Sequence, residues 1–259
     1  MRCSSFRVHT LLFMISFRIV TYNVHKCQGL DRRVRPSRIV EVLSDLDADV
    51  IALQEVLSVE DSTTEANQAE FIAKGLGLDY CVGENRKLRG GKYGNVTLSR
   101  LPFASTCNYD ITRRGREPRG CLRVDLRLPD GEVLHIFNVH LGTSFLERRF
   151  QARRLIDAEI LNSNRLSGAR IVLGDFNEWT RGLASRLLNV HFETAEPRLH
   201  LPRARTYPGI FPVLHLDHIY FDPELKLERL TLHRTPLALV ASDHLPLIAD
   251  FSFKRQSKV

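Results

Sequence analysis

Cysteine is scarce in this chain of 259 residues, and the little there is does not pair. The five stand at positions 3, 27, 81, 107 and 121, an odd number with no C-x-x-C step. That excludes a disulfide framework and a cysteine-rich zinc site, and points to reduced thiols in a cytoplasm. Long apolar runs are missing too. Near the N-terminus the stretch 11–15 is followed by Ser16 and Arg18. It falls short of the roughly seven to fifteen residues of a signal peptide and the about twenty of a membrane span. No G-x-x-x-x-G-K-[ST] occurs, which disfavours a P-loop triphosphatase. No G-x-S-x-G occurs, so the usual serine-esterase elbow is absent. There is no low-complexity tract, long linker or short repeat, and no basic stripe interleaved with aromatics of the kind that binds single strands.

What is present is an ordinary globular composition, 43% hydrophobic and 26% charged, with a net charge of +7. A basic balance favours polyanionic partners: nucleic acid, phosphorylated small molecules or an anionic membrane surface. A single domain is expected over 14–256, with residues 1–13 an over-long start or an unpacked leader. Periodicity predicts strands near 15–24, 50–53, 80–82, 94–100, 121–128, 133–139, 171–173, 218–221, 227–233 and 247–253. Helices are predicted from Pro36, over 65–76, over 144–162 and over 182–188. In the longest of these, Phe145, Ala152, Leu155 and Ile160 read as the buried stripe. The basic segments 86–92 and 113–119 read as loops that could follow a nucleic-acid backbone or a lipid headgroup. Strands separated by crossover helices imply an α/β fold with a two-layer sheet core.

Polar, metal-capable side chains recur where these strands end: Asn23, Glu55, Asn95, Asn138 with His140, Asp175 with Asn177, Asp217 with His218, and Asp243 with His244. One such case is a capped strand; seven suggest strand ends converging on one polar site. Glu and Asp offer hard oxygen ligands suited to Mg²⁺ or Mn²⁺, and imidazole offers acid–base chemistry. In Ser242-Asp243-His244 an acid precedes an imidazole that it could orient as a general base.

The blocks TYNVHK (21–26), LQEV (53–56), GNVTLSR (94–100), NVHLG (138–142), GDFNE (174–178), LDHIY (216–220) and SDHLP (242–246) stand in one order along the chain. With them the sequence resembles the endonuclease/exonuclease/phosphatase superfamily, in a compact bacterial-type branch. The resemblance implies a four-layer α/β/β/α sandwich, two mostly antiparallel sheets packed face to face. It implies phosphoester hydrolysis with Mg²⁺ or Mn²⁺, most readily of a phosphodiester in nucleic acid or a phospholipid. The alternative is a phosphomonoesterase of a soluble metabolite, and further off a non-catalytic binding protein. By the same resemblance Glu55 is the main metal carboxylate, helped by Asn23, and Asp175 orients water. Asn177 holds a phosphate oxygen, and Asp243 pairs with His244 or joins a metal site. His244 is the general base or a transition-state stabiliser, and His140 is a second imidazole acting as acid or phosphate contact. Asp217 orients a neighbour, and Asn95, Asn138 and Arg119 face substrate. His25 stands where relatives place a carboxylate. The chain is expected to be a monomer without an obligate protein partner, cytoplasmic, with room for a peripheral membrane contact.

Overall fold

The structure is a computed structural model that describes residues 15–60, 65–157, 159–178, 182–195, 206–208 and 214–254. The leader expected over 1–13 and most of the proline-rich stretch 197–212 lie outside the described residues. Two similar units carry the fold. In the first, β1 (Ser16–Asn23) leads through α1 (Pro36–Ser44) to β2 (Val50–Ser58), which lies parallel to it. Pro36 starts α1, where its missing N–H costs nothing. In the second, β7 (Val133–His140) leads through α3 (Phe145–Leu155) to a parallel β8 (Arg170–Asp175). A parallel pair places both carboxyl ends at the same edge of the sheet, where open α/β folds collect functional groups.

The remaining strands extend each unit with antiparallel neighbours. In the first sheet these are β3 (Asp79–Leu88), β4 (Gly91–Ser99), β11 (Leu225–Leu232) and β12 (Leu247–Phe253), in the order β11-β12-β1-β2-β4-β3. The second adds β5 (Phe103–Asp110), β6 (Gly120–Arg127), β9 (Glu193–Thr194) and β10 (Asp217–Phe221), ordered β5-β6-β7-β8-β10-β9. Phe17, Ile19 and Phe251 of one sheet meet Ile136, Ile171 and Leu173 of the other in a shared core. The outer face of the first sheet packs Val20, Tyr22 and Ile51 under α1 and α2 (Gln68–Leu76), the latter closed by Gly77 in the left-handed region. The outer face of the second packs Phe137, Val139 and Val172 under α3 and α4 (Leu183–Leu188). The result is the four-layer sandwich.

Three local expectations are corrected. Residues 86–92 are not a loop but the tip of the β3–β4 hairpin, with Leu88 opposite Gly91. Three of its four cations are paired among the described residues, Arg86 with Glu117, Lys87 with Glu84 and Lys92 with Glu60, Arg89 at the tip being the exception, which weakens the case for a nucleic-acid track. Strand β5 passes unnoticed in the sequence because it is an edge strand whose residues are largely exposed, without an apolar alternation. Helix α3 stops at Leu155 rather than 162. The chain turns there, with the N–H of Ile160 and of Asn162 both bonded to the carbonyl of Asp157. Phe145 is exposed, not part of a buried stripe.

The strand period of two aims the polar ends inward. On β1, Ile19, Thr21 and Asn23 share the face toward the other sheet; on β7 the series is Ile136, Asn138, His140, and on β8 it is Ile171, Leu173, Asp175. Glu55 departs from this rule. Alternation from Ile51 and Leu53 would put it under the helices, but a bulge between Leu53 and Val56, with Glu55 at φ 59°, turns it to the inner face. Gly174 is equally specific. A Cβ there would lie 1.9 Å from the Val139 carbonyl oxygen, so only glycine lets β8 draw close enough to set Asp175 beside His140.

Below these ends, a layer of buried amides joins the sheets. Asn138 donates to the carbonyls of Leu53 and Val96 at 3.0 Å each and accepts from Gln54 Nε2 at 2.8 Å. Asn95 donates to the carbonyls of Gly120 and Asn138. Both side chains are fully enclosed and spent on backbone, so their expected role as substrate contacts is replaced by one in supporting the site. Asn138→Leu, similar in volume, would take its donor from the buried carbonyls of Leu53 and Val96 and the shortest of three acceptors from Gln54 Nε2. We expect it to destabilise the fold by about 3 kcal/mol, read as a lowered urea midpoint at unchanged slope.

Candidate active site

The C-terminal ends of β1, β2, β7 and β8 and the first residues of β10 and the β12 approach meet at one edge of the sandwich. Asp175 is the hub. Its Oδ2 accepts from Asn23 Nδ2 at 3.0 Å and lies 3.5 Å from His140 Nε2 and 3.6 Å from His244 Nε2. Its Oδ1 accepts the Asn177 N–H at 2.9 Å, an Asx turn that helps hold Asn177 at φ 49°. Asn177 Nδ2 donates to the Leu141 carbonyl and stands 3.2 Å from His140 Nε2. Asp175, His140 and His244 are all buried.

The two imidazoles are anchored from behind by opposite charges. His140 Nδ1 lies 2.8 Å from Arg119 Nη1. A guanidinium has no acceptor, so Nδ1 must accept, and the ring's proton sits on Nε2, facing Asp175. Burial, reinforced by the Arg119 charge, pushes this imidazole down to about 4, so it is neutral at neutral pH. Arg119 also pairs with Glu117 at 2.9 Å, and its role is to orient His140 rather than the expected one of meeting substrate. His244 Nδ1 lies 2.9 Å from Asp217 Oδ2. Burial would lower this ring, but Asp217 and Asp175 outweigh it and raise it to about 10. The two carboxylates thus favour the charged form of the His244 ring.

The acid that orients His244 is Asp217, not the adjacent Asp243. Neighbours in extended backbone point to opposite sides, and Asp243 turns to His25, whose Nδ1 is 3.4 Å from Asp243 Oδ1. Asp217 opens β10 opposite Asp175 in register, which carries it under the imidazole. Tyr207 covers the other side, its ring centroid 5.0 Å from that of His244. His218 points outward between Phe176 and Tyr220 and belongs to the core.

Glu55 receives Asn23 Nδ2 at 3.2 Å and Lys26 Nζ at 2.9 Å. Burial works against its charge, but the His140 ring and the Lys26 ammonium outweigh that and hold the carboxyl well below the usual range. Lys26 escapes sequence reasoning, although it ends the TYNVHK block. It reaches Glu55 because His25, Lys26 and Cys27 run in the left-handed region, φ 46°, 59° and 55°. Three consecutive non-glycine residues there are strained by roughly 1 kcal/mol or more each, a pattern that gathers at functional sites. Glu55 is the hard ligand of this donor set, an ionised carboxylate of the kind Mg²⁺ takes when it keeps most of its waters; the Asn23 amide beside it presents Nδ2 to Glu55, while its Oδ1 accepts the His25 N–H at 3.0 Å. Among the described residues no three His, Cys, Asp or Glu side chains converge closely enough to cage an ion by themselves.

Comparison with known proteins identifies the family and the fold. The model of the Endonuclease/Exonuclease/phosphatase family matches residues 20–244. The uncharacterized protein YbhP of Escherichia coli (strain K12) is 33% identical over 247 residues, 91% of this chain and 96% of that protein. A conserved protein of unknown function from Enterococcus faecalis V583 superposes with a TM-score of 0.77 at 18% identity, covering 92% of this chain and 100% of that one. A mannosyl-6-phosphatase of Bacteroides thetaiotaomicron VPI-5482 superposes with a TM-score of 0.73 at 17% identity, over 92% of this chain and all of the other. Members of this family hydrolyse phosphoester bonds and generally depend on a divalent metal. A match across most of the sequence, with the fold and the converging strand ends, makes this chain a member of the endonuclease/exonuclease/phosphatase family.

Proposed function

We propose that the chain is a Mg²⁺- or Mn²⁺-dependent phosphodiesterase, and one observation carries the reading: two imidazoles, one backed by Arg119 and the other by Asp217, face the same carboxylate. Glu55 and the Asn23 amide would hold the ion, which supplies charge neutralisation at the phosphate. Asp175 orients the attacking water and takes its proton, worth roughly 10²–10⁴-fold. The His244 imidazolium donates to a phosphoryl oxygen as charge builds there. His140 presents its neutral Nε2–H to the leaving-group oxygen, and Asn177 adds an amide donor. The new bond joins water oxygen to phosphorus and the bond to the leaving oxygen breaks; His140 steadies that oxygen by a hydrogen bond, the proton Asp175 took from water is returned to it, and a phosphomonoester and an alcohol result.

Charge matching favours a diester over a monoester. Glu55, Asp175, Asp217 and Asp243 stand against Lys26, His244 and Arg119, leaving roughly one uncompensated negative charge. A divalent ion would turn that into about one positive charge, the complement of a monoanionic diester. With Mg²⁺ or Mn²⁺ supplied, we expect kcat/KM for bis-p-nitrophenyl phosphate to exceed that for p-nitrophenyl phosphate by at least about tenfold. The reverse order would favour a phosphomonoesterase, and inertness toward both, with plasmid and phospholipid also intact, would remove the catalytic reading.

A further inference from the structure

Helix α3 has an unusual outer face. It buries Glu147 and Gln151 beside Ala152 and Leu155, while Phe145, Leu146 and Phe150 stand in solvent at 57%, 54% and 44%. The polar face holds backbone. Gln151 accepts the Gly142 N–H at 2.8 Å, and Arg148 donates to the Gly142 and Thr143 carbonyls, pinning the loop that follows His140. The outward face has no such partner. Its residues, Phe145, Leu146, Arg149, Phe150 and Arg153, recur at helical spacing as one stripe of apolar and cationic side chains, without an anion among the described residues.

A second patch of the same kind follows β1. Leu30, Val34 and Val240 are exposed, joined by a bond from the Leu30 N–H to the Val240 carbonyl, with Arg32, Arg33 and Arg35 exposed around them. The one acid there, Asp31, is held by Arg38. Of the eight large hydrophobics exposed among the described residues, six lie in these two patches. Both patches sit on connections that leave the strand ends of the candidate site, one shortly after His140 and the other shortly after Asn23. Exposed large apolar groups scattered at random would need no explanation; apolar tips grouped with arginines on one helix face do.

We infer that the outward face of α3 is a docking surface for an anionic phospholipid bilayer, with the helix lying in the headgroup region. Phe145, Leu146 and Phe150 enter the acyl boundary, and Arg149 and Arg153 meet lipid phosphates, the arrangement of an interfacial amphipathic helix. Charge complementarity selects the lipid class: the stripe offers cations only, and the chain as a whole is basic. Docking does not depend on the catalytic reading.

The test is co-sedimentation of the full chain with vesicles of phosphatidylcholine alone and mixed with phosphatidylglycerol, at low and high salt. We expect binding to the mixed vesicles, weakened by salt, and little binding to phosphatidylcholine. Arg149→Glu with Arg153→Glu should weaken binding by about thirtyfold or more, and Phe145→Ser with Phe150→Ser by about tenfold per aromatic. Both double variants should keep the wild-type melting temperature and wild-type turnover of a soluble diester. Absence of wild-type binding to the mixed vesicles, or wild-type binding by either variant, would overturn the proposal. So would a self-associated wild type that Phe145→Ser with Phe150→Ser makes monomeric, since the face would then belong to a second copy.

Discussion

His244→Ala is expected to lower kcat on a phosphodiester by about 10³–10⁴-fold while leaving the far-UV spectrum unchanged. The size follows from what the ring does: a charged donor in a buried site, aimed at the oxygens where negative charge builds, loses no energy to reorganisation when the reaction occurs. Its charge comes from two carboxylates, Asp217 at 2.9 Å and Asp175 at 3.6 Å, acting against burial. This gives a signed pH dependence. The folded-state value is raised from 6.5 to about 10, so the charged form, and the stability it contributes, are complete at low pH, below the unfolded value near 6.5, and are lost as pH rises from there through about 10. The kcat–pH profile should therefore stay flat through the ordinary histidine range and fall only in strong base. Asp217→Asn removes the largest charge partner and leaves burial in place, so the falling limb should move down by more than about one pH unit, with kcat near pH 6 reduced far less than in His244→Ala. An activity that instead climbs with pH near 6.5 and loses that climb in His244→Ala would make the ring a base and overturn this assignment. Wild-type kcat in His244→Ala would remove the ring from the reaction altogether.

The parts of this site that are legible from sequence are those written locally. An apolar strand running into Asn23, His140 or Asp175 is visible in a few residues, and the period of two already aims those ends to one face. What cannot be read are the pairings made across the sandwich. Asp243 sits next to His244 in sequence, yet geometry gives the imidazole to Asp217, which β10 delivers through its register with β8. Nothing local reveals that Arg119 will fix the tautomer of His140, or that Asn95 and Asn138 will be consumed holding the sheets together. The bulge at Glu55 is hidden because Leu-Gln-Glu-Val fits a regular strand as well as a broken one. Helix α3 is legible only in part. Ala152, Leu155 and Ile160 are buried as their spacing suggests, whereas Phe145 is exposed and Glu147 and Gln151 share the buried face, the latter holding the backbone after His140.

Glu55 provides the second large effect. Glu55→Gln keeps shape and bulge but removes the charge, and we expect it to weaken Mg²⁺ or Mn²⁺ binding by at least about a hundredfold in titration calorimetry and to lower kcat by about 10³-fold at fixed metal. The carboxylate is readied for a cation at a cost. It is kept ionised while largely enclosed, and its backbone sits at φ 59°, a conformation other residue types could satisfy more easily. Lys26, 2.9 Å away, already supplies one positive charge to it. An arriving ion must compete with that ammonium, so Lys26→Met should act in the opposite direction to Glu55→Gln and tighten metal binding, by roughly tenfold for the removal of one competing charge near a partly buried acid. The pair separates two accounts of Glu55. If the carboxylate only anchors Lys26, both substitutions break the same ion pair, and both should leave metal affinity unchanged while lowering stability alike. If it holds the ion, the two affinities must move apart, and calorimetry on the two variants reads that difference without any substrate being present.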